Sequence, residues 1–484
     1  MTAPVVEVGD IVLARLQAVS PVDTDDAARA AAGRDWWPLA LQRAQAGDRG
    51  HPALTLRPAV VVRPDDAEQV SAVLAVCHEA RVPVTASGGR SGVCGASVPA
   101  FGGVSLDLRA LAGVVEVDET SLLVEAGPGT YGHDLEAALD VGHGLTLGHW
   151  PQSMAISTLG GWLACRSAGQ YSTRYGTMAD MVAGLDVVLA DGRSIRTGWR
   201  APRSATGPDL TQLFVGSEGT LGVITSALLR VHPRPPARRQ AALAFASFED
   251  GVEACRRILR RGATPAVLRL YDEVESARSC GVSGRAVLIV LDETDPGLAD
   301  AVAAVVSAES AAAGAEVLGD GPVEQWSASR HDLAFVDEIV ASGLVFDTCE
   351  VAARWSSLPA LYRRGLAALG QQPGLVSASA HLSHAYPDGA CLYFGFAGQV
   401  TEDASADGWY RAAWQALMDA VVGAGGTISH HHGIGLHKGR FLASALGSSI
   451  AALGAVKAAL DPRGILNPGK LGLPSPWGEA PWPA

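Results

Sequence analysis

The stretch Ser429–Gly435, SHHHGIG, sets three histidines side by side ahead of a glycine pair. Imidazole titrates near neutral pH, so such a cluster can move protons, hold an anion or, uncharged, ligate a metal. Adjacent side chains cannot all point one way on a helix or strand, so at most two of His430, His431 and His432 can share one ion directly. A hydrogen-bonded turn is the remaining reading. Two other residues carry chemistry in apolar company: Tyr393 in GACLYFGFAG and Arg269 in AVLRLYDE. A tyrosine in such a strand is ordinarily core, with its hydroxyl satisfied. An arginine there needs an anion or a partner, and Asp272 and Glu273 are nearest in sequence. His381 and His384, in HLSHAYPD, stand second to these; on a regular strand, residues three apart face opposite sides.

Elements must position these groups, and the glycines show where they meet a ligand. Glycine supplies 56 of 484 residues, above the ~7% norm, in clusters rather than a period. From Pro58, AVVVRP reads as a strand, DDAEQVSAVLAVCHEA as a helix with Asp65 as N-cap, and VPVTA as a second strand. The loop that follows, SGGRSGVCG (Ser87–Gly95), spells neither GxGxxG nor a P-loop. Its unobstructed N–H groups form either an anion-binding nest or a long turn. Residues 148–169 (GHWPQSMAISTLGGWLACRSAG) and 216–225 (GSEGTLGVIT) repeat this small-residue texture, and Asp191-Gly192 reads as a hairpin turn. Together the three strips suit an extended ligand lying across one domain. The chain divides into a helical lead-in (1–57), the domain carrying the strips (58–233), a second domain (234–458) after a proline-rich linker, and a return segment with a tail (459–484). The Ala-rich run 301–318 reads as a surface helix.

GGRSG, STLGGW, GSEGTLGVIT and NPGK resemble the FAD-binding domain of the vanillyl-alcohol oxidase (PCMH-type) superfamily. RSATGPDL, AVLRLYDE, GACLYFGF and SHHHGIG are similar, more narrowly, to the alkylglycerone-phosphate synthases. The resemblance spans residues 35–470 and implies an α+β chain: a two-part PCMH-type FAD-binding domain plus a cap domain with an antiparallel sheet and flanking helices. It implies FAD contacts at Ser87, Gly88, Gly89, Arg90, Ser91 and Gly92, and a second strip at Gln152, Ser153, Ser157, Thr158, Cys165, Arg166, Ser167 and Ala168. A third strip is implied at Glu218, Gly219, Thr220, Leu221, Gly222, Val223 and Ile224. Tyr393 becomes the acid–base residue, with Arg269 and His430–His432 around the substrate. A neighbouring imidazolium or Arg269 is then expected to lower the pKa of Tyr393. Covalent members often attach the flavin through a histidine in or beside the first loop. Ser87–Gly95 has none, so non-covalent FAD is expected, although His149 lies near the second strip.

One departure concerns specificity. The synthases hold the anionic end of their substrate with an arginine where this chain has Val336, leaving Arg330 and Arg354 as the nearby cations in sequence. In related 2-hydroxy-acid dehydrogenases a glutamate at the position of His431 completes a metal site. An imidazole-only set suits zinc or copper better than a hard cation, and no metal is expected. The expected function is oxidation of a small hydroxylated substrate by hydride transfer to flavin N5. The alternative is synthase-type exchange on the flavin without net redox change.

Composition narrows the partners. A net charge of −13 argues against general nucleic-acid binding, and no apolar run reaches the ~18 residues of a membrane span. Seven scattered cysteines without a CxxC suit reduced thiols in the cytoplasm. A small-molecule substrate and an electron acceptor of unspecified kind are the expected partners, with a homodimer possible.

Overall fold

Short β-branched runs form the first sheet. Val60–Val62, Val84–Ser87 and Val104–Asp107 run parallel, and Ala67–Ala80 is the helix that crosses between the first two. Val70, Val73, Leu74 and Cys77 line its buried stripe. Asp66, not Asp65, caps it, accepting the Gln69 N–H at 2.8 Å; Asp65 instead donates its own N–H to Gln69 Oε1. The computed structural model describes residues 5–47, 51–198, 201–400 and 406–480. Part of the lead-in is built into this sheet: Val22–Asp23 pairs antiparallel with Val60–Val62, and the buried Asp35 carboxylate accepts the Gly95 N–H at 2.7 Å.

A five-stranded antiparallel sheet completes the first half, in the order Val114–Asp118, Leu123–Ala126, Val223–Arg230, Val182–Val188, Ser194–Gly198. The expected hairpin at Asp191-Gly192 joins the last two strands, with Gly192 at φ 86. A seven-stranded antiparallel sheet forms the second half; its central strands are Ala286–Thr294, Val267–Tyr271, Leu375–Ala385 and Gly389–Gly398, and Val345–Arg354 is an edge. The helix Phe248–Arg260 buries Phe248, Val252, Cys255 and Leu259, spaced three or four apart, in the core shared with Phe394 and Trp414. The return segment closes on the first sheet, where Leu466 bridges Val84 and the Asn467 N–H donates to the Val84 carbonyl. This is the α+β arrangement expected. Among the described residues no single helix is long and apolar enough to cross a membrane.

Candidate active site

A cavity of about 690 Å³ is lined by both halves. The first half contributes Ser87–Gly92, Gln152, Ser153, Thr158, Cys165, Ser167, Ala168, Glu218, Gly219 and Gly222–Ile224. Two glycines there are required by contact: a Cβ on Gly88 would sit 2.2 Å from Thr158 Oγ1, and one on Gly89 2.1 Å from the Ile156 carbonyl oxygen. The first two strips therefore touch backbone to side chain, and the Gly89 N–H reaches Thr158 Oγ1 at 3.3 Å. Four of the expected contact residues do not line the cavity. Ser157 takes a bond from Trp162 Nε1, and Thr220 donates to the Ser217 carbonyl. Leu221 is core at 1% exposure, and Arg166 packs its aliphatic stem against Gly216. These four hold the loops in shape.

The histidine turn is clamped from both halves. Glu218, from the third strip, accepts the Ile434 N–H at 2.6 Å and the Gly435 N–H at 2.8 Å. Glu350, on Val345–Arg354, accepts the N–H groups of His431 and His432 at 3.3 and 2.9 Å and a bond from the Ser429 hydroxyl. Lys438 Nζ lies 2.6 Å from Glu350, and both side chains are fully buried. The lysine, with His432 beside it, holds the carboxyl of Glu350 well below its ordinary range despite that burial.

His431 and His432 line the cavity; His430 does not. It stands behind, its Nδ1 at 2.9 Å from His431 Nδ1 and its Nε2 at 2.9 Å from the Tyr386 hydroxyl. Burial depresses His430 to about 4, and burial followed by the other imidazoles depresses His431 and His384 well below the ordinary value. These three rings are neutral at pH 7, so none of them is the expected imidazolium. Tyr393 lines the cavity, stacks on His381 with centroids 4.8 Å apart, and donates to Thr348 Oγ1 at 3.0 Å. Burial pushes its phenol up rather than down, outweighing the opposing pull of Arg269. The lowered phenol expected from sequence is thereby corrected.

Arg269 also lines the cavity, bound neither to Asp272 nor to Glu273. Its Nε donates to the Tyr271 hydroxyl at 2.9 Å, while Asp272 caps the following helix. His381 and His384 both line the cavity, contrary to strand alternation. A bulge between Ser383 and Ala385 explains this, with His384 at φ 49. As a result, one ligating nitrogen from each of His384, His430 and His431 falls within 4.8 Å of the others. Sequence reasoning missed Thr348, Gln170 and Trp36 in the lining. Only Gln170, one residue beyond the strip 148–169, carried a signal.

Comparisons with known proteins match this geometry. Residues 58–198 match the FAD binding domain family, and residues 234–471 the C-terminal domain of FAD linked oxidases. The glycolate oxidase subunit GlcD of Bacillus subtilis is 31% identical over 441 residues, covering 86% of this chain and 89% of that protein. The chain belongs to the FAD-linked oxidase family. The alkyldihydroxyacetonephosphate synthase of Dictyostelium discoideum is 30% identical over 457 residues, covering 86% of this chain and 73% of that one. A solved alkyldihydroxyacetonephosphate synthase superposes with a TM-score of 0.79 at 26% identity, covering 97% of this chain and 87% of the other. p-Cresol methylhydroxylase, at 17% identity and a TM-score of 0.75, shares the fold.

As a member of this family the protein is an FAD-binding flavoenzyme. The cavity fits that cofactor. Bare backbone at Gly88 and the Arg90 side chain offer donors for a pyrophosphate, and the volume lies within the range of small-molecule and cofactor pockets.

Proposed function

We propose that this FAD-linked oxidase oxidises a small hydroxylated substrate held between the FAD-binding half and the Tyr393–His431 wall. Bound FAD supplies the two-electron acceptor for the hydride leaving the substrate carbon. The substrate hydroxyl proton goes to the neutral imidazole of His431. One tautomer order suits the observed bonds: His431 Nε2 accepting, its Nδ1–H donating to His430 Nδ1, and His430 Nε2–H donating to the Tyr386 oxygen. A proton taken up at His431 Nε2 can then leave through His430 toward half-buried Tyr386. The Tyr393 hydroxyl, kept protonated by burial, turns its O–H from Thr348 Oγ1 to the substrate oxygen and orients it, and the Thr348 hydroxyl donates to Tyr393 in its place. The observation that carries this reading is the uncharged His431–His430–Tyr386 chain ending at the cavity wall. No metal is needed for this proton path, in which His430 has both ring nitrogens engaged.

Under anaerobic conditions without an external acceptor, a true substrate should bleach the oxidised FAD absorbance and yield one carbonyl product per flavin. Continuous product formation with the flavin remaining oxidised at steady state would replace oxidation with synthase-type exchange.

The FAD is non-covalent on the same reading. His149, the histidine nearest the second strip, is 0% exposed, packs on Trp162 at 4.5 Å and faces Ser167 rather than the cavity. Acid precipitation should leave all yellow colour in the supernatant; colour retained in the pellet would show a covalent link.

A further inference from the structure

Arg330 ends the helix Gly321–Ser329 and lines the cavity with Gln152, Gln170, Trp326 and Val336. Its guanidinium is boxed by three rings, with Cζ at 5.3 Å from Trp150, 4.8 Å from Tyr171 and 5.7 Å from Trp326. Among the described residues it forms no ion pair, and its Nη1 is buried with no hydrogen-bond partner. Gln170 Oε1 is likewise buried without a partner. The segment is tied to the FAD-binding half, since Gln170 Nε2 donates to the Arg330 carbonyl at 3.1 Å and Gln152 Nε2 to the Asp332 carbonyl at 2.9 Å. Ring faces stabilise a cation, but they do not fill a guanidinium N–H. Arg330 is half-buried at the cavity wall, and a guanidinium there without an ion pair calls for an anion.

We propose that Arg330 is the specificity residue for a monocarboxylate substrate, its guanidinium pairing with the carboxylate at the end remote from the oxidised carbon. This rests on the cavity being the substrate site, as proposed above. One guanidinium fork matches one carboxylate. Leu333, Phe335 and Val336 line the adjoining wall and favour an apolar body on the substrate.

Binding is measured on the oxidised FAD-bound protein from the shift of its visible spectrum, so the outcome does not depend on turnover. The probes are 6-hydroxyhexanoate, whose carboxylate lies at the end remote from its hydroxyl-bearing carbon, its methyl ester and glycerol 3-phosphate. Wild-type protein should bind the acid roughly 10- to 150-fold more tightly than the ester, as expected for a charge-assisted bond. Arg330→Met should erase that preference at unchanged FAD content, and Arg330→Lys should keep part of it. Equal affinity of wild type for acid and ester overturns the proposal, with no variant needed. Tighter, Arg330-dependent binding of glycerol 3-phosphate overturns the choice of carboxylate. Loss of FAD, or equal weakening of acid and ester, in Arg330→Met would assign the residue to the flavin or the fold instead.

Discussion

Replacing His431 with glutamine should slow reduction of the enzyme-bound FAD by substrate about 10²–10⁴-fold, the usual worth of a positioned base. FAD content should not change, because the glycine loops that would hold the cofactor lie on the other half of the protein. The effect follows from charge state. Burial keeps His431 neutral, so it can accept a proton on arrival of substrate, and glutamine cannot. Tyr393→Phe removes a donor rather than the acceptor, and about a 10²-fold loss is expected from one such bond. Anaerobic stopped-flow reduction separates these steps from reoxidation. Undiminished reduction in His431→Gln would remove the imidazole from the proton path. Incubation with a chelator should leave the wild-type rate unchanged. If activity falls and zinc or manganese restores it, the converging nitrogens of His384, His430 and His431 are a metal site instead.

Lys438→Met should destabilise the protein by about 3–5 kcal/mol, the usual cost of stranding one member of a buried ion pair. Lys438 and Glu350 are 1% and 0% exposed, and Glu350 also collects the Ser429 hydroxyl and two N–H groups of the histidine turn. Without the lysine, that carboxylate must stay charged in an apolar surround or take up a proton. Adding Glu350→Gln should recover part of the loss, because a neutral amide oxygen can still accept the His431 and His432 N–H groups. Denaturant unfolding of the single and double variants measures the coupling. Additive effects in the cycle would mean that the two charges stabilise the fold independently and that the pair does not anchor the turn.

Local pattern made much of this protein legible in its sequence. The β-α-β unit, the hairpin at Asp191-Gly192 and the three small-residue strips follow from periodicity and from where only glycine fits, and each is a short-range property. Tyr393 and Arg269 stood out because a polar group in an apolar strand is costly, wherever that strand ends up. The cap shift from Asp65 to Asp66 is a matter of one residue, which two adjacent acids leave undecided until the helix packs. The chemistry of the site was decided by contacts between distant segments. His384 joins His431 only through a bulge at Ser383–Ala385, and Glu218 and Glu350 meet the histidine turn from positions 216 and 79 residues away from Ile434 and Ser429. Protonation was beyond sequence for the same reason. Whether an imidazole is charged or a phenol acidic depends on the water removed around it, and desolvation outweighed the charges that sequence neighbours suggested for Tyr393 and His431. Arg330 was one of two cations near Val336 along the chain, and only the fold turned it toward the cavity while leaving Arg354 exposed, because one follows a helix end at the cavity and the other closes a strand at the sheet edge.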